Sequence, residues 1–349
     1  MRDQRSFLSR PGGDRFATAA IVLGLAALAA AGCAGSGGRR AAVPGPGSGP
    51  TPPVTTHRPV PVALEPLAVF ENVRDAPYYP FAGLAGAAFY ADGTFYVCDE
   101  KGGRVLGYDP SRDDWFQFDT PGGRFFRPLD VKVDQFSVLV LDADGRQLLR
   151  YDLSGAFRDR LVDFTYLDPA RDRLPVAFAV DGDGRVAVCD AAEDQVLLLD
   201  PYLNLHSVVG ESGSHREQFR EPSGIAFLRD GGFVVADRGN RRLELFNRLG
   251  VYMAGIGGEF APHNAMVAPT GVAVDPDGNI FVADPVAGAV LVYAPDGRLL
   301  LRAGQEMGLA AGPLNPVGLA LGPDDRLVVT DRGREAVLLY RVRYSTPEE

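Results

Sequence analysis

Pro128, Pro175, Pro222, Pro269 and Pro316 stand 47 residues apart each time. A single period held over more than half of a 349-residue chain requires a repeat architecture, in which one supersecondary unit is copied and stacked. After each proline comes a short apolar or β-branched run, such as Ser223-Gly224-Ile225-Ala226-Phe227 or Thr270-Gly271-Val272-Ala273-Val274. A second run ends on an aspartate in every copy, at Asp142, Asp190, Asp237, Asp284 and Asp331, and a third ends near an aromatic residue or leucine. These are strand signals, and Asp92-Gly93, Asp183-Gly184, Gly231-Gly232, Leu249-Gly250, Asp277-Gly278 and Asp296-Gly297 supply the turns. The segment Leu84 to Tyr108 repeats the pattern with Leu84 in place of the proline, which gives a sixth copy ending its second run at Asp99.

No window carries an apolar face at 3.6-residue spacing long enough for a helix, which excludes helical solenoids of similar period. Each unit has room for four short antiparallel strands. The expected fold is therefore an all-β, six-bladed β-propeller of four-stranded antiparallel blades. The last unit has too few residues for a good fourth strand, so an N-terminal segment around Val62-Ala63-Leu64 and Leu67-Ala68-Val69-Phe70 is expected to close that blade.

The units resemble NHL repeats. The fourth copy carries the resemblance best, with Gln218-Phe219 and Pro222-Ser223-Gly224-Ile225-Ala226 leading to Val234-Val235-Ala236-Asp237-Arg238-Gly239-Asn240. The resemblance covers roughly residues 62 to 345, with degenerate copies in the first three units. WD and kelch repeats fit worse, because Trp115 is the only tryptophan and no Trp-Asp dipeptide ends a strand. What the resemblance implies is the fold, since such propellers serve as enzymes and as binding platforms.

Arg2, Arg5, Arg10 and Arg15 precede an apolar stretch from Ala17 to Ala31, which runs into Gly32-Cys33. This describes a secretory signal, too short for a good permanent span. The small residues before the cysteine resemble a bacterial lipobox, which implies lipidation of Cys33 and a membrane partner through it. The organisation read from the sequence is a lipoprotein signal peptide over 1–32, a Gly/Pro/Ala-rich tether over 33–61, the propeller over 62–345 and a tail over 346–349. The expected location is the cell envelope, lipid-anchored at the outer membrane and facing the periplasm or exterior. Removing the signal takes away a net +2 and shifts the formal charge from −10 to −12. Such acidity gives no footprint for nucleic acid.

Cys98 and Cys189 occupy the slot before the repeated aspartate in blades one and three, on strands a whole blade apart. They are expected as buried free thiols, because a disulfide needs Cα atoms within about 4.4 to 6.8 Å. A residue repeated at the exit of a strand in every blade is a turn former before it is a metal ligand, so the aspartates are expected to accept backbone N–H bonds.

Candidates for specific function are the positions that do not repeat. His215 and His263 lie 7 and 6 residues before their blade prolines, Glu221 and Asn315 immediately before theirs, and Arg238 and Arg332 follow the repeated aspartates. Two histidines are a weak metal pair, since a catalytic zinc normally takes three protein ligands. No cofactor is called for. The His set that the resemblance to amidating lyases would imply is incomplete here, as is the Glu, Asn and Asp set of gluconolactonase-type enzymes, where Ala268 takes the place between Glu221 and Asn315. No Gly-x-Ser-x-Gly elbow exists. The residues favour non-covalent recognition of a protein, peptide or glycan on the loop face, with a metal-dependent lyase or lactonase at the channel mouth as the alternative.

Overall fold

The computed structural model describes residues 59–73, 80–120, 123–168, 170–258, 265–304 and 315–345. Cys33, His57, His263, the signal segment and the tether up to residue 58 lie outside the described residues. Six four-stranded antiparallel sheets form the blades, and the described residues contain no α-helix.

The inner strands are Leu84–Phe89, Pro128–Val133, Pro175–Val180, Pro222–Phe227, Val272–Val274 and Pro316–Leu321. Each packs against the inner strands of the blades on either side, so the six form a ring. In the fourth and sixth blades a glycine two places into the inner strand permits this approach. A Cβ on Gly224 would lie 1.9 Å from the Thr270 carbonyl oxygen, and one on Gly318 would lie 2.2 Å from that of Ala85. Such contacts bar any side chain, which is why these slots hold glycine. Hydroxyls also lace the seams between inner strands: Ser223 donates to the Pro269 carbonyl at 2.8 Å between blades four and five, and Thr270 to that of Val317 at 2.9 Å between blades five and six.

The second strands, Phe95–Asp99, Val138–Asp142, Val186–Asp190, Phe233–Asp237 and Ile280–Asp284, are buried along their whole length, and Arg326–Asp331 is buried after its first residue. A sheet covered on both faces explains why these runs are almost continuously apolar and do not alternate. Six apolar clusters fill the gaps between neighbouring blades. Cys98 lies in the cluster between blades one and two and Cys189 in that between blades three and four, and both are free thiols. Burial pushes both thiols well above their ordinary range, so neither is poised as a nucleophile.

Ring closure follows the sequence expectation. Pro61–Phe70 pairs antiparallel with Ala336–Tyr344 as the outer strand of the sixth blade, from Pro61 opposite Tyr344 to Phe70 opposite Val337. One sheet thus holds both ends of the propeller, and no open seam is left at the closure.

The repeated aspartates bind more of the chain than the turn that follows them. Asp331 accepts the N–H groups of Gly333 and Arg334 after the strand and that of Asn315 before the inner strand. Asp284 does the same with Val286 and Ala287 on one side and Val267 and Ala268 on the other. Asp99, Asp142, Asp190 and Asp237 likewise take the N–H groups of Ala82, Arg127, Leu174 and Arg220, just before their inner strands. The carboxylate is therefore the knot that fixes the entering segment of a blade to its second turn. All six are almost fully buried, at 0 to 1 % exposure.

Candidate functional site

The six inner strands enclose a cavity of about 720 Å³ that opens on the face of the aspartate knots. This size is typical of small-ligand sites. Because the knots fix the segment before each inner strand and the turn after each aspartate, the rim of the cavity is drawn from residues at those two places.

The rim differs around the ring. In blades six, one and two it is charged: Arg332 Nη2 lies 2.9 Å from Glu100 Oε2, and Arg127 Nη1 lies 3.8 Å from Glu100 Oε1. Arg332 also donates to the Leu84 carbonyl at 3.1 Å, and Arg127 pairs with Asp144 at 2.7 Å. In blade four Arg238 and Glu221 pair at 3.3 Å, both substantially exposed. Glu221 has a left-handed backbone, φ 52°, held by its own N–H donating to Asp194. Asn315 completes the rim beside Arg332, whose N–H its carbonyl accepts at 3.0 Å. Blades three and five contribute Leu174, Ala191, Pro285 and Val286, which are apolar.

Four sequence-predicted residues, Glu221, Arg238, Asn315 and Arg332, are thus brought together at one cavity. His215 is not among its lining residues. It is exposed, on a loop anchored from the third strand of blade four and the turn before it: Arg242 donates to the carbonyls of Ser214, His215 and Gln218, and Asn240 donates to that of Gly213. Glu244 accepts the Glu217 N–H at 3.2 Å and pairs with Arg242 at 2.9 Å. Burial raises the Glu244 carboxyl to about 7 against the pull of Arg242. The would-be metal partner of His215, His263, lies outside the described residues, among which no three His, Cys, Asp or Glu side chains cluster as metal ligands.

Sequence reasoning missed Glu100 and Arg127 at the rim, and Asp130 and Lys132 deeper in the cavity. A signal for the last two was present. Two places after the entry residue, which is the blade proline or Leu84, the six blades carry Gly86, Asp130, Ala177, Gly224, Gly271 and Gly318; four places after it, they carry Ala88, Lys132, Ala179, Ala226, Ala273 and Ala320. The second blade alone has charges in both slots. Asp130 Oδ1 and Lys132 Nζ are 2.6 Å apart, and the other oxygen of Asp130 accepts the Phe178 N–H of blade three at 3.1 Å.

Comparison with known proteins supports the same fold. The NHL repeat model matches residues 219–244, in the fourth blade. Among solved structures, a streptogramin B lyase aligns over 79 % of this chain and 98 % of its own, with TM-score 0.57 and 13 % identity. A gluconolactonase from Xanthomonas campestris aligns over 82 % and 98 %, with TM-score 0.58 and 17 % identity. A catalytically inactive virginiamycin B lyase from Staphylococcus aureus with quinupristin aligns over 80 % and 99 %, with TM-score 0.57 and 9 % identity. No curated protein matches by sequence. At these identities the likeness is one of fold, and the chain is a six-bladed β-propeller carrying an NHL repeat.

Proposed function

We propose that this propeller is a recognition module, held at the cell envelope through a lipidated Cys33, which takes a protein, peptide or glycan ligand at the mouth of the central cavity. One observation carries the reading: among the described residues, each carboxylate that lines the cavity already has a cationic partner. Glu100 has Arg332 and Arg127, Glu221 has Arg238, and Asp130 has Lys132. A cation site needs carboxylates in excess, whereas among the described lining residues four cations meet three carboxylates, on a protein of formal charge −10. Such a lining suits a ligand with hydrogen-bonding groups of both kinds, and rim charges that can exchange a neighbour for a ligand group give selectivity more than raw affinity.

The test is binding of the full chain, in detergent, to peptide and oligosaccharide arrays, with Arg332→Ala and Arg238→Ala as rim variants. Ligands that both variants weaken about tenfold, some 1.4 kcal/mol, support the reading. Conversion of a bound ligand to product, or a stoichiometric metal whose removal abolishes binding, would replace it with the lactonase or lyase alternative. For the anchor, Cys33→Ser should move the protein from the membrane fraction to the soluble one.

A further inference from the structure

We infer that Lys132 is the ligand's anion anchor inside the cavity, and that the group it takes is the C-terminal carboxylate of a peptide with an apolar last residue. This rests on the cavity being the recognition site and adds which chemistry enters it.

The first ground is the repeat itself. Five blades hold alanine where the second holds Lys132, so the fold does not need a lysine there. Nor does it need Asp130, since four of the five other blades place glycine in that slot. Putting an ion pair into a ring otherwise built of Gly and Ala costs desolvation that a stability role would not repay, because apolar replacement of such pairs is often neutral or stabilising.

The second ground is geometry. Lys132 has three N–H donors and, among the described residues, one protein acceptor, Asp130 Oδ1 at 2.6 Å, while its ammonium lies 5.7 Å from the centre of the buried Phe178 ring. Asp130 is itself fixed at its other oxygen by the Phe178 N–H. The lysine head is therefore held in one place by a carboxylate and an aromatic face, with donors left over and about 25 % of its side chain open to the cavity.

The third ground is the wall beside it. Leu129, Val176 and Ala177 line the cavity next to Lys132 with apolar surface, while the paired charges of Glu100, Arg127 and Arg332 stand farther out at the rim. A peptide end matches that order from the inside outward: carboxylate on the ammonium, apolar side chain on the wall, amide N–H and C=O groups among the rim charges. A uronic acid offers the carboxylate but places hydroxyls against Leu129 and Val176, which would lose water without gaining partners.

The experiment uses the full chain in detergent and three probes: N-acetyl-Gly-Gly-Leu as the acid, the same peptide as its C-terminal amide, and glucuronate. Calorimetric or NMR titration should show the acid bound at least tenfold more tightly than the amide or glucuronate. The variant that restores the common repeat, Asp130→Gly with Lys132→Ala, removes both charges together and should keep the fold while abolishing the acid-over-amide preference. Lys132→Met, which retains the stem, should do the same and guards against a local effect of the double change. Equal binding of acid and amide, persistence of the preference in either variant, tighter binding of glucuronate, or no binding of any probe overturns the inference. If array ligands still depend on Arg332 and Arg238 in those cases, the cavity reading stands and only the anchor falls.

Discussion

The second and fourth blades each break the repeat with buried charge, and the two breaks serve different surroundings. In the fourth blade Glu244 sits on the third strand in the slot held by Leu106, Leu149, Leu197, Leu291 and Leu338 elsewhere. It is 1 % exposed and bound to Arg242 and to the Glu217 N–H, so its charge is consumed in anchoring a loop. In the second blade Asp130 and Lys132 break the inner strand, and they line the cavity. A departure from the repeat marks a place where something other than the common fold is being specified; what it faces decides whether that is a loop or a ligand.

The largest effect that separates the two blades is expected at their aspartate knots. Asp237 in blade four holds the Arg220 N–H, Asn240 and the Arg242 guanidinium, the last at 2.9 Å. Asp237→Ala removes one of two carboxylates on Arg242, which keeps Glu244 and the loop carbonyls, and leaves the Arg220 N–H and Asn240 without their acceptor; with a charge-assisted bond among those lost it should cost about 3 kcal/mol. Asp142 in blade two holds the N–H groups of Phe126 and Arg127 and the Gln147 amide. Asp142→Ala should cost about 1–3 kcal/mol. Equal losses in urea denaturation would mean that Arg242 adds nothing to the knot.

Next comes the pH dependence of the fourth blade. Glu244 holds its proton up to about pH 7 in the folded state, against 4.5 ordinarily, because burial outweighs the attraction of Arg242. The native state thus binds more protons between those values, so this group lowers stability as pH rises from about 4.5 to about 7. The loss is at most about 3 kcal/mol. Asp237, raised by the same cause, adds to it in the same direction. Glu244→Gln should flatten the fall in melting temperature between pH 5 and pH 7.5; an unchanged profile would show that Glu244 is ionised throughout.

A smaller effect tests the second blade. Lys132→Met leaves the Asp130 carboxylate buried with only N–H partners and should cost about 1–3 kcal/mol. Asp130→Gly with Lys132→Ala removes both charges and should return to within about 1 kcal/mol of the parent. A double variant that is worse than the single would make the pair a structural staple between blades two and three, through the Phe178 N–H, and would erase the contrast with Glu244.

The fold was legible because its signals are local and periodic: prolines at or just before the start of inner strands, aspartates that end second strands, and Gly turns such as Gly231 and Gly278 with φ of 83° and 87°. Much of the rim was legible for the same reason, since Glu221, Arg238, Asn315 and Arg332 adjoin those landmarks. The interior was not. The pairing slips by one residue just after the entering proline, between Pro128 and Asp130 as between Pro222 and Gly224, so an alternation counted from the proline does not tell which side chains face the ring. Glu100 and Arg127 reach the site across blade boundaries, through Arg332 and through each other, and no spacing within one unit encodes that meeting.

The smallest stability effects are expected at the rim, where the contrast between blades is one of exposure. Arg238 and Glu221 are 46 % and 65 % exposed in their side chains, so Arg238→Ala should change stability by less than about 0.5 kcal/mol. Arg332 reaches from blade six to the Leu84 carbonyl and Glu100 of blade one, and Glu100 is only 19 % exposed. Arg332→Ala should therefore cost more, about 1 kcal/mol, with Arg127 remaining as a weaker partner for Glu100 at 3.8 Å. Both variants belong in the binding test, and their stability difference tells how to read it. If Arg238→Ala lowers affinity as much as Arg332→Ala while leaving the melting curve in place, the rim acts by contact with ligand. If affinity follows stability, Arg332 acts by holding the seam between blades six and one.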